Sequence, residues 1–120
     1  MLSPGFLGEL NNSLSADRIY TDPVDCHAYA YDNTRKLFPP DAVVFPEATV
    51  EVQRVVTACN NYNVPLVPRG RGTGTSGGSL PERGGVVLSL ERMLRIIKVD
   101  PDNRVIVAEP GVLNQAIQNA

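Results

Sequence analysis

The chain has 120 residues, of which 42% are hydrophobic and 20% are charged, and its formal net charge is −2 at pH 7. These values are typical of one ordinary globular domain and argue against intrinsic disorder. Because no basic stripe exists to neutralise phosphates, the composition also argues against a nucleic-acid or anionic-membrane surface.

The first 40 residues predict a helix followed by an irregular lead-in. Ser3-Pro4 is a fair helix start, because Pro is favoured at the first helical position. The apolar residues that then share one helical face are Phe6, Leu7, Leu10 and Leu14. Residues 17–40 are polar, so we expect a loop anchored by Tyr29 and Tyr31. The N-terminus has no basic n-region and no long apolar run, so neither a signal peptide nor a transmembrane span is expected.

The imidazole and thiol groups of the chain do not suggest a catalytic or metal site. His27 is the only histidine, and its neighbours form no metal-binding or nucleophile constellation, so we expect it on a loop or at the surface. Cys26 and Cys59 have no CxxC spacing and no metal-ligand partners. We therefore expect both thiols to be reduced and structural, in keeping with a cytoplasmic protein.

Residues 42–68 predict a βαβ unit. Ala42-Val43-Val44-Phe45 is a short apolar strand closed by Pro46, and Pro65-Leu66-Val67-Pro68 is a second one. Between them, Thr49 is a candidate helix cap and Glu51 lies in the first turn, where the helix dipole favours it. The buried helical stripe consists of Val52, Val55, Val56 and Cys59. The two strands should be parallel, with a right-handed connection.

Residues 65–78 read PLVPRGRGTGTSGG and contain five of the ten glycines in the chain. Glycine permits positive φ and leaves the backbone amides accessible, so they can converge on a phosphate. Arg69 and Arg71 flank the stretch, and guanidinium groups suit phosphate oxygens. The hydroxyls that can donate to phosphate are those of Thr73, Thr75 and Ser76. The stretch predicts a strand that leads into an anion-binding glycine loop, residues 70–78.

Two common phosphate loops do not fit this stretch. The P-loop requires a lysine, and the sequence has none between Lys36 and Lys98. The dinucleotide fingerprint G-x-G-x-x-G matches at Gly72, Gly74 and Gly77, but it should open a helix. Residues 78–85 read GSLPERGG, which cannot continue a helix, so a nicotinamide-binding Rossmann domain is rejected.

The remaining chain predicts a strand, a hairpin and the start of a helix. Val86-Val87-Leu88-Ser89-Leu90 is the strand. Residues 95–99 and 104–108 flank Asp100-Pro101-Asp102-Asn103, which is strong turn chemistry, so this pair is expected to form the hairpin. Pro110-Gly111 breaks the chain, and an amphipathic helix is expected from Leu113.

Four motifs follow one another along the chain: P-R-G-x-G-T-G-x-S-G-G, L-P, GGVVLSLERM and AEPGV. With these motifs in this order, the chain resembles FAD-linked oxidases whose flavin domain is of the vanillyl-alcohol-oxidase or para-cresol-methylhydroxylase type. Within that family it is most similar to the glycolate oxidase flavin subunit and the D-lactate dehydrogenases. The resemblance covers Asp41 to Ala120 well and the preceding segment loosely. It implies an α+β fold that is the first half of such an FAD-binding domain, a βαβ unit followed by strands and a hairpin.

The resemblance also implies the domain organisation. Residues 1–40 are expected to be an N-terminal helix and lead-in, and residues 41–120 the N-terminal part of the FAD-binding domain. Because the flavin domain of relatives is about twice this size, we expect the chain to be an N-terminal fragment. The catalytic and substrate-binding residues of relatives lie beyond Ala120, so no catalytic residue is named and the isolated chain is expected to be inactive.

The cofactor implied by the resemblance is FAD, with its pyrophosphate on the glycine loop. The cofactor-binding residues carried over are Pro68, Arg69, Gly70, Arg71, Gly72, Thr73, Gly74, Thr75, Ser76, Gly77, Gly111 and Val112. Pro46 lies where relatives approach the adenine. Some relatives link flavin covalently through a histidine in the loop; Thr73 occupies that position here, so non-covalent FAD is expected.

The implied function is oxidation of a 2-hydroxy acid such as glycolate or D-lactate, with the hydride passing to FAD. The implied partners are that small acid and other oxidase subunits, and the implied location is the cytoplasm, at most peripheral to the inner membrane. Two alternatives stay open. One is a non-catalytic nucleotide-binding or interaction module, and the other is a UDP-sugar reductase of the same flavin fold, against which the GTGTSGGSLP form of the loop argues.

Overall fold

The computed structural model describes residues 2–31, 34, 36–72, 78 and 80–120. These residues form helices and two separate sheets, so the α+β class expected from the sequence is confirmed. The helices are α1 Pro4–Ser13, α2 Pro23–His27, α3 Thr49–Asn61 and α4 Asn114–Gln118, with a 3-10 turn at Ala16–Arg18. The strands are β1 Ile19–Tyr20, β2 Ala42–Val44, β3 Leu66–Arg69, β4 Val86–Ser89, β5 Ile96–Asp100 and β6 Val105–Ala108.

The larger sheet has the order β1-β2-β4-β3. Strands β2 and β3 both run parallel to β4, so they are parallel to each other as the βαβ pattern predicts. They are not neighbours, however, because β4 lies between them and pairs Val87 with Val43 on one side and with Val67 on the other. All four β4 residues are buried, which is typical of a continuous apolar strand at the centre of a parallel sheet.

Side chains alternate between the two faces of this sheet, and each face has its own core. Helices α1 and α3 cover the first face, whose buried residues are Phe6, Leu10, Leu14, Ala42, Val44, Val55, Ala58, Cys59, Val86 and Leu88. On the second face the buried residues are Cys26, Val43, Phe45 and Val87, with Tyr20 and Tyr29 packed against them. Residues of the lead-in therefore pack on the second face through Tyr20, Cys26 and Tyr29. The lead-in is more regular than expected because it contains β1 and α2.

The start of α1 agrees with the sequence, and the start of α3 corrects it. The Ser3 hydroxyl accepts a hydrogen bond from the Phe6 amide at 3.3 Å, with Pro4 at the first helical position. The prediction that Thr49 caps α3 is wrong, because Thr49 is already inside the helix and its N-cap residue makes no side-chain bond. A carboxylate two residues further on reaches back instead: Glu51 Oε1 accepts from the Glu47 amide at 2.9 Å.

The hairpin expected from the turn sequence is confirmed. Strands β5 and β6 pair antiparallel, with a bulge between Ile96 and Lys98. The Asp100 carboxylate accepts from the Asn103 amide at 3.2 Å and from Asn103 Nδ2 at 2.8 Å, and these bonds lower the pKa of Asp100. Arg104 completes the turn at φ 56°, a left-handed conformation that a non-glycine residue seldom adopts.

The expectations for the thiols and the histidine are confirmed. Cys26 and Cys59 are both free and buried, and burial raises the pKa of the Cys59 thiol to about 11. His27 is exposed at the end of α2. No group of ligating side chains within the described residues could hold a metal ion. The longest helix described, α3, has 13 residues, and none of the described helices is long and apolar enough to cross a membrane.

Candidate cofactor site

The segments assigned to a cofactor site meet at one edge of the larger sheet. Arg69, the last residue of β3, lies opposite Ser89, the last residue of β4. Because these strands are parallel, the segments that follow them leave from the same edge, which we call the carboxyl edge. In open α/β sheets ligands bind outside this edge. Pro46, which follows β2 and is fully buried, lies at the same end of its strand.

The described part of the glycine loop shows why glycine stands at position 72. Gly72 has φ +71°, and a Cβ there would lie 2.0 Å from Arg69 Nη2. At Gly70 a Cβ would make only an ordinary contact, 3.9 Å from the Pro110 carbonyl oxygen. Thr73, Gly74, Thr75, Ser76 and Gly77 lie outside the described residues, and their assigned roles stay predictions.

Arg69 is the most informative residue of the site. Its side chain is buried, at 8% exposure, and its Cζ atom lies 5.4 Å from the centroid of the Tyr29 ring. Its Nη1 atom is buried and has no hydrogen-bond partner among the residues that the structure describes. Buried charged donors are almost always paired, so an unpaired guanidinium nitrogen beside Gly72 fits an anionic ligand such as a pyrophosphate.

Arg71 connects the glycine loop to the Pro110-Gly111 turn. Its Nε and Nη2 atoms both donate to the Gly111 carbonyl oxygen, at 3.2 Å and 2.7 Å. Gly111 is itself tightly packed, because a Cβ there would lie 2.5 Å from the Leu90 carbonyl oxygen. The structure thus brings together two segments, 40 residues apart, that the sequence analysis had assigned separately. The phosphate role assigned to Arg71 stays a prediction, as does that of the half-buried Val112.

Three polar residues at the carboxyl edge were not predicted as site residues from the sequence. Tyr29 Oη donates to Glu91 Oε1 at 2.5 Å, and Ser89 Oγ donates to the same oxygen at 2.9 Å. Burial, and then the bond to Glu91, raises the pKa of the Tyr29 hydroxyl well above its ordinary value. Ser89 and Glu91 could have been identified, because both stand at the carboxyl end of a predicted parallel strand. Tyr29 was predicted only as a loop anchor.

A third guanidinium group lies close to this edge. Arg92 lies over the Phe45 ring, with its Cζ atom 4.4 Å from the ring centroid. Arg69, Arg71 and Arg92 thus give this end of the sheet three guanidinium groups, with the Glu91 carboxylate bonded to Tyr29 and Ser89. A site that combines positive charge, glycine at a left-handed position and an unpaired buried donor is suited to a phosphate-bearing cofactor.

A sheet whose three neighbouring strands β2, β4 and β3 are parallel, with a glycine-rich segment following β3 at the carboxyl edge, is typical of nucleotide-cofactor domains. Residues 40–120 match the FAD binding domain family, and the chain belongs to that family. FAD is therefore its cofactor, and the buried Arg69 nitrogen and the close approach allowed at Gly72 fit its pyrophosphate. The family resemblance and the cofactor expected from the sequence are both confirmed.

The relatives of the chain are flavin-domain proteins of much greater length. It is 42% identical over 86 residues to glycolate oxidase subunit GlcD of Bacillus subtilis (strain 168), covering 71% of this chain and 18% of that protein. It is 34% identical over 119 residues to D-2-hydroxyglutarate dehydrogenase of Stutzerimonas stutzeri (strain A1501), covering 98% and 26%. The crystal structure of p-cresol methylhydroxylase with substrate bound superposes with a TM-score of 0.81 at 27% identity, covering 98% and 25%. The chain thus spans between 18% and 26% of the length of these proteins.

Proposed function

We propose that the chain is the FAD-binding portion of an oxidoreductase that acts on a small 2-hydroxy acid such as glycolate or D-lactate. Two similar proteins, one named as a glycolate oxidase subunit and one as a D-2-hydroxyglutarate dehydrogenase, support this substrate class. The observation that carries the cofactor role is the unpaired, buried Nη1 atom of Arg69 beside the glycine loop.

The residues of the carboxyl edge have distinct roles in this proposal. Arg69 neutralises pyrophosphate charge, and Gly72 lets the backbone approach the phosphates because it has no Cβ. Arg71 holds the Pro110-Gly111 turn against the glycine loop, so that Gly111 and Val112 form the second wall of the site. The remaining cofactor-binding positions of this proposal are Pro68, Gly70, Thr73, Gly74, Thr75, Ser76 and Gly77. Bound FAD supplies the acceptor for the hydride equivalent that the hydroxy acid loses.

The same proposal covers how FAD is attached, which partners the protein has and where it acts. FAD is held without a covalent link, because Thr73 stands where some relatives have the linking histidine. The partners are the 2-hydroxy acid and further oxidase subunits. The protein acts in the cytoplasm, at most peripheral to the inner membrane, and the division at residue 40 separates its lead-in from its flavin domain.

The flavin content of the Gly72→Ala variant tests the site. The new Cβ would displace the Arg69 guanidinium and force alanine to a φ of +71°, so we expect loss of FAD with the fold retained. Gly8→Ala on α1 is the control, because its Cβ meets no atom within 4 Å. FAD is measured by absorbance per mole of protein, and acid precipitation should leave the flavin in the supernatant. A Gly72→Ala variant with full flavin content would contradict the assignment.

The substrate class is tested by anaerobic reduction of the bound flavin. Because the isolated chain is expected to be inactive, the test uses the flavin-loaded protein in its full length. Glycolate, D-lactate and D-2-hydroxyglutarate are each mixed with it, and bleaching of the visible flavin spectrum is recorded. We expect at least one of these acids to bleach it, while the corresponding 2-hydroxy acid of opposite chirality serves as the control for the two chiral substrates. Full FAD binding with no bleaching by any acid would instead support a non-catalytic nucleotide-binding module.

A further inference from the structure

Tyr29 lies next to the cofactor site although it is outside the segment that matches the flavin family, which begins at residue 40. Its ring lies under the guanidinium of Arg69, and its hydroxyl donates to Glu91. One aromatic side chain therefore contacts both the buried cation and the carboxylate of the carboxyl edge. Such a position can determine whether those two opposite charges meet.

The Tyr29 ring is held in place by contacts on several sides. It packs edge-on against Phe45, with ring centroids 5.5 Å apart. Its hydroxyl shares Glu91 Oε1 with the Ser89 hydroxyl, and Ser89 is the residue opposite Arg69 in the sheet register. Arg69 thus contacts Tyr29, and Tyr29 bonds to Glu91. Glu91 also bonds to Ser89, which pairs with Arg69 in the sheet. A ring fixed in this way restricts the guanidinium that lies on it.

Among these four residues, the carboxylate and the guanidinium differ in their hydrogen bonds. Glu91 accepts two hydrogen bonds from hydroxyl groups, whereas Arg69 Nη1 has no partner within the described part of the chain. A direct pair between Arg69 and Glu91 would neutralise the cation and leave less of its charge for an anion. The Tyr29 and Ser89 hydroxyls instead both donate to one carboxylate oxygen, Glu91 Oε1. The geometry therefore keeps the guanidinium available beside Gly72.

We propose that Tyr29 is a positioning residue for the phosphate-binding Arg69: its ring supports the guanidinium, and its hydroxyl occupies Glu91 so that the carboxylate does not pair with it. The inference rests on the function proposed above, because the anion is the FAD pyrophosphate. Pre-ordering of a cationic side chain raises affinity, because less conformational freedom is lost when the anion binds. Tyr29 thus affects, through Arg69, how tightly the protein holds its cofactor.

The decisive variant is Tyr29→Phe, which keeps the ring and removes only the hydroxyl. Glu91 is then free to pair with Arg69, and we expect the Kd for FAD to rise about tenfold, in line with the loss of one charge-assisted hydrogen bond. The double variant Tyr29→Phe/Glu91→Gln should restore most of the affinity, because a neutral amide does not neutralise the guanidinium. A merely structural role for the hydroxyl would give no rescue.

The matched control is Tyr20→Phe. Tyr20 packs on the same Phe45 ring, at 4.7 Å and also edge-on, and among the described contacts it neither supports Arg69 nor donates to Glu91. We expect its Kd for FAD to stay within about twofold of the parent, a difference of well under a tenfold step. The Glu91→Gln variant alone should bind FAD as tightly as the parent or more tightly, which provides a second test should Tyr29→Phe fold poorly.

The measurement is titration of the flavin-free protein with FAD, followed by quenching of flavin fluorescence, with thermal unfolding recorded for each variant. A parent protein that does not bind FAD would overturn the proposed function and this inference with it. A parent that binds FAD, with Tyr29→Phe unchanged or with no rescue in the double variant, would overturn the inference and leave the proposed function standing.

Discussion

Strand β4 and the β5–β6 hairpin have similar compositions and very different surroundings. Strand β4 reads VVLS and is buried at every position. The hairpin strands read IIKVD and VIVA, yet Ile97, Val99, Val105 and Val107 are between 42% and 59% exposed. The difference comes from what packs on each strand, because β4 has a strand on both sides and a core on both faces. Val and Ile content therefore predicts a strand, and only its neighbours determine its burial.

The same two regions differ in how they relate to the cofactor site. The carboxyl edge of the larger sheet carries Arg69, Ser89 and Glu91 directly. The hairpin contributes indirectly, by returning the chain to Pro110-Gly111, and its base is fixed where Glu109 Oε1 accepts from the Arg95 amide at 2.8 Å. We therefore expect changes in the sheet to affect stability and flavin binding together, and changes in the hairpin to affect both weakly.

The largest expected loss of stability comes from replacing Gly85, the glycine that directly precedes β4. Gly85 has φ +81°, and a Cβ there would lie 2.3 Å from the Pro65 carbonyl oxygen, which accepts the Val86 amide of the β3–β4 ladder. Gly85→Ala should lower the free energy of unfolding by about 3 kcal/mol, the sum of left-handed strain and a backbone clash. Urea unfolding followed by circular dichroism measures it. Gly8→Ala, which adds a Cβ in open space on α1, should not lower stability. An equal result for Gly85→Ala would show that the β3–β4 ladder accepts a side chain at this position without cost.

A matched pair of valines tests burial itself. Val87 is 0% exposed in β4, whereas Val107 is 42% exposed in β6. Val87→Ala removes two buried methyl groups and leaves a cavity, so we expect a loss of about 2 kcal/mol, against less than about 0.5 kcal/mol for Val107→Ala. The measurement is again the free energy of unfolding in urea. Equal losses would mean that the exposed face of the hairpin is covered in the folded protein.

The smallest expected difference concerns the acid dependence of stability. Hydrogen bonding from Arg18 holds the pKa of Glu51 below its usual range, and Arg95 does the same for Glu109. The stabilisation is therefore present above the ordinary glutamate pKa of about 4.3 and is lost as pH falls through the lowered folded-state value. Arg18 and Glu51 side chains are only 16% and 14% exposed, whereas Arg95 is 73% exposed.

This difference is measured by unfolding between pH 3 and pH 7, a window that includes the glutamate pKa of about 4.3. Glu51→Gln should cost about 1 kcal/mol at neutral pH, because Arg18 forms a two-point pair with it. It should also reduce the fall in the free energy of unfolding between pH 7 and pH 3 more than Glu109→Gln does. If Glu109→Gln reduced this pH dependence more than Glu51→Gln, the stronger ion pair would be the one between Arg95 and Glu109 in the hairpin.

Local patterns predicted most elements of the fold and the chemistry of the loop. Ser3-Pro4, the i, i+3, i+4 stripe of α3 and the Asp100–Asn103 turn each depend on residues within a few positions of one another. The same holds for the glycine loop, whose composition indicated an anion site. The prediction that Thr49 caps α3 was wrong. The residue that bonds at this helix start is Glu51, which also pairs with Arg18, 33 residues away, and local cap preference carries no information about that partner.

The sequence by itself determined the kind of segments, the α+β class and the flavin cofactor, because periodicity, turn chemistry and family motifs are local properties. Only the tertiary structure decided that β4 separates β2 from β3, that Arg71 binds Gly111, and that Tyr29 supports Arg69. The Arg71 and Arg69 contacts each join residues 40 positions apart, and Tyr29 contacts Glu91 across 62 positions. Such pairs depend on strand order and on which face each side chain takes, and these are settled only when the sheet packs.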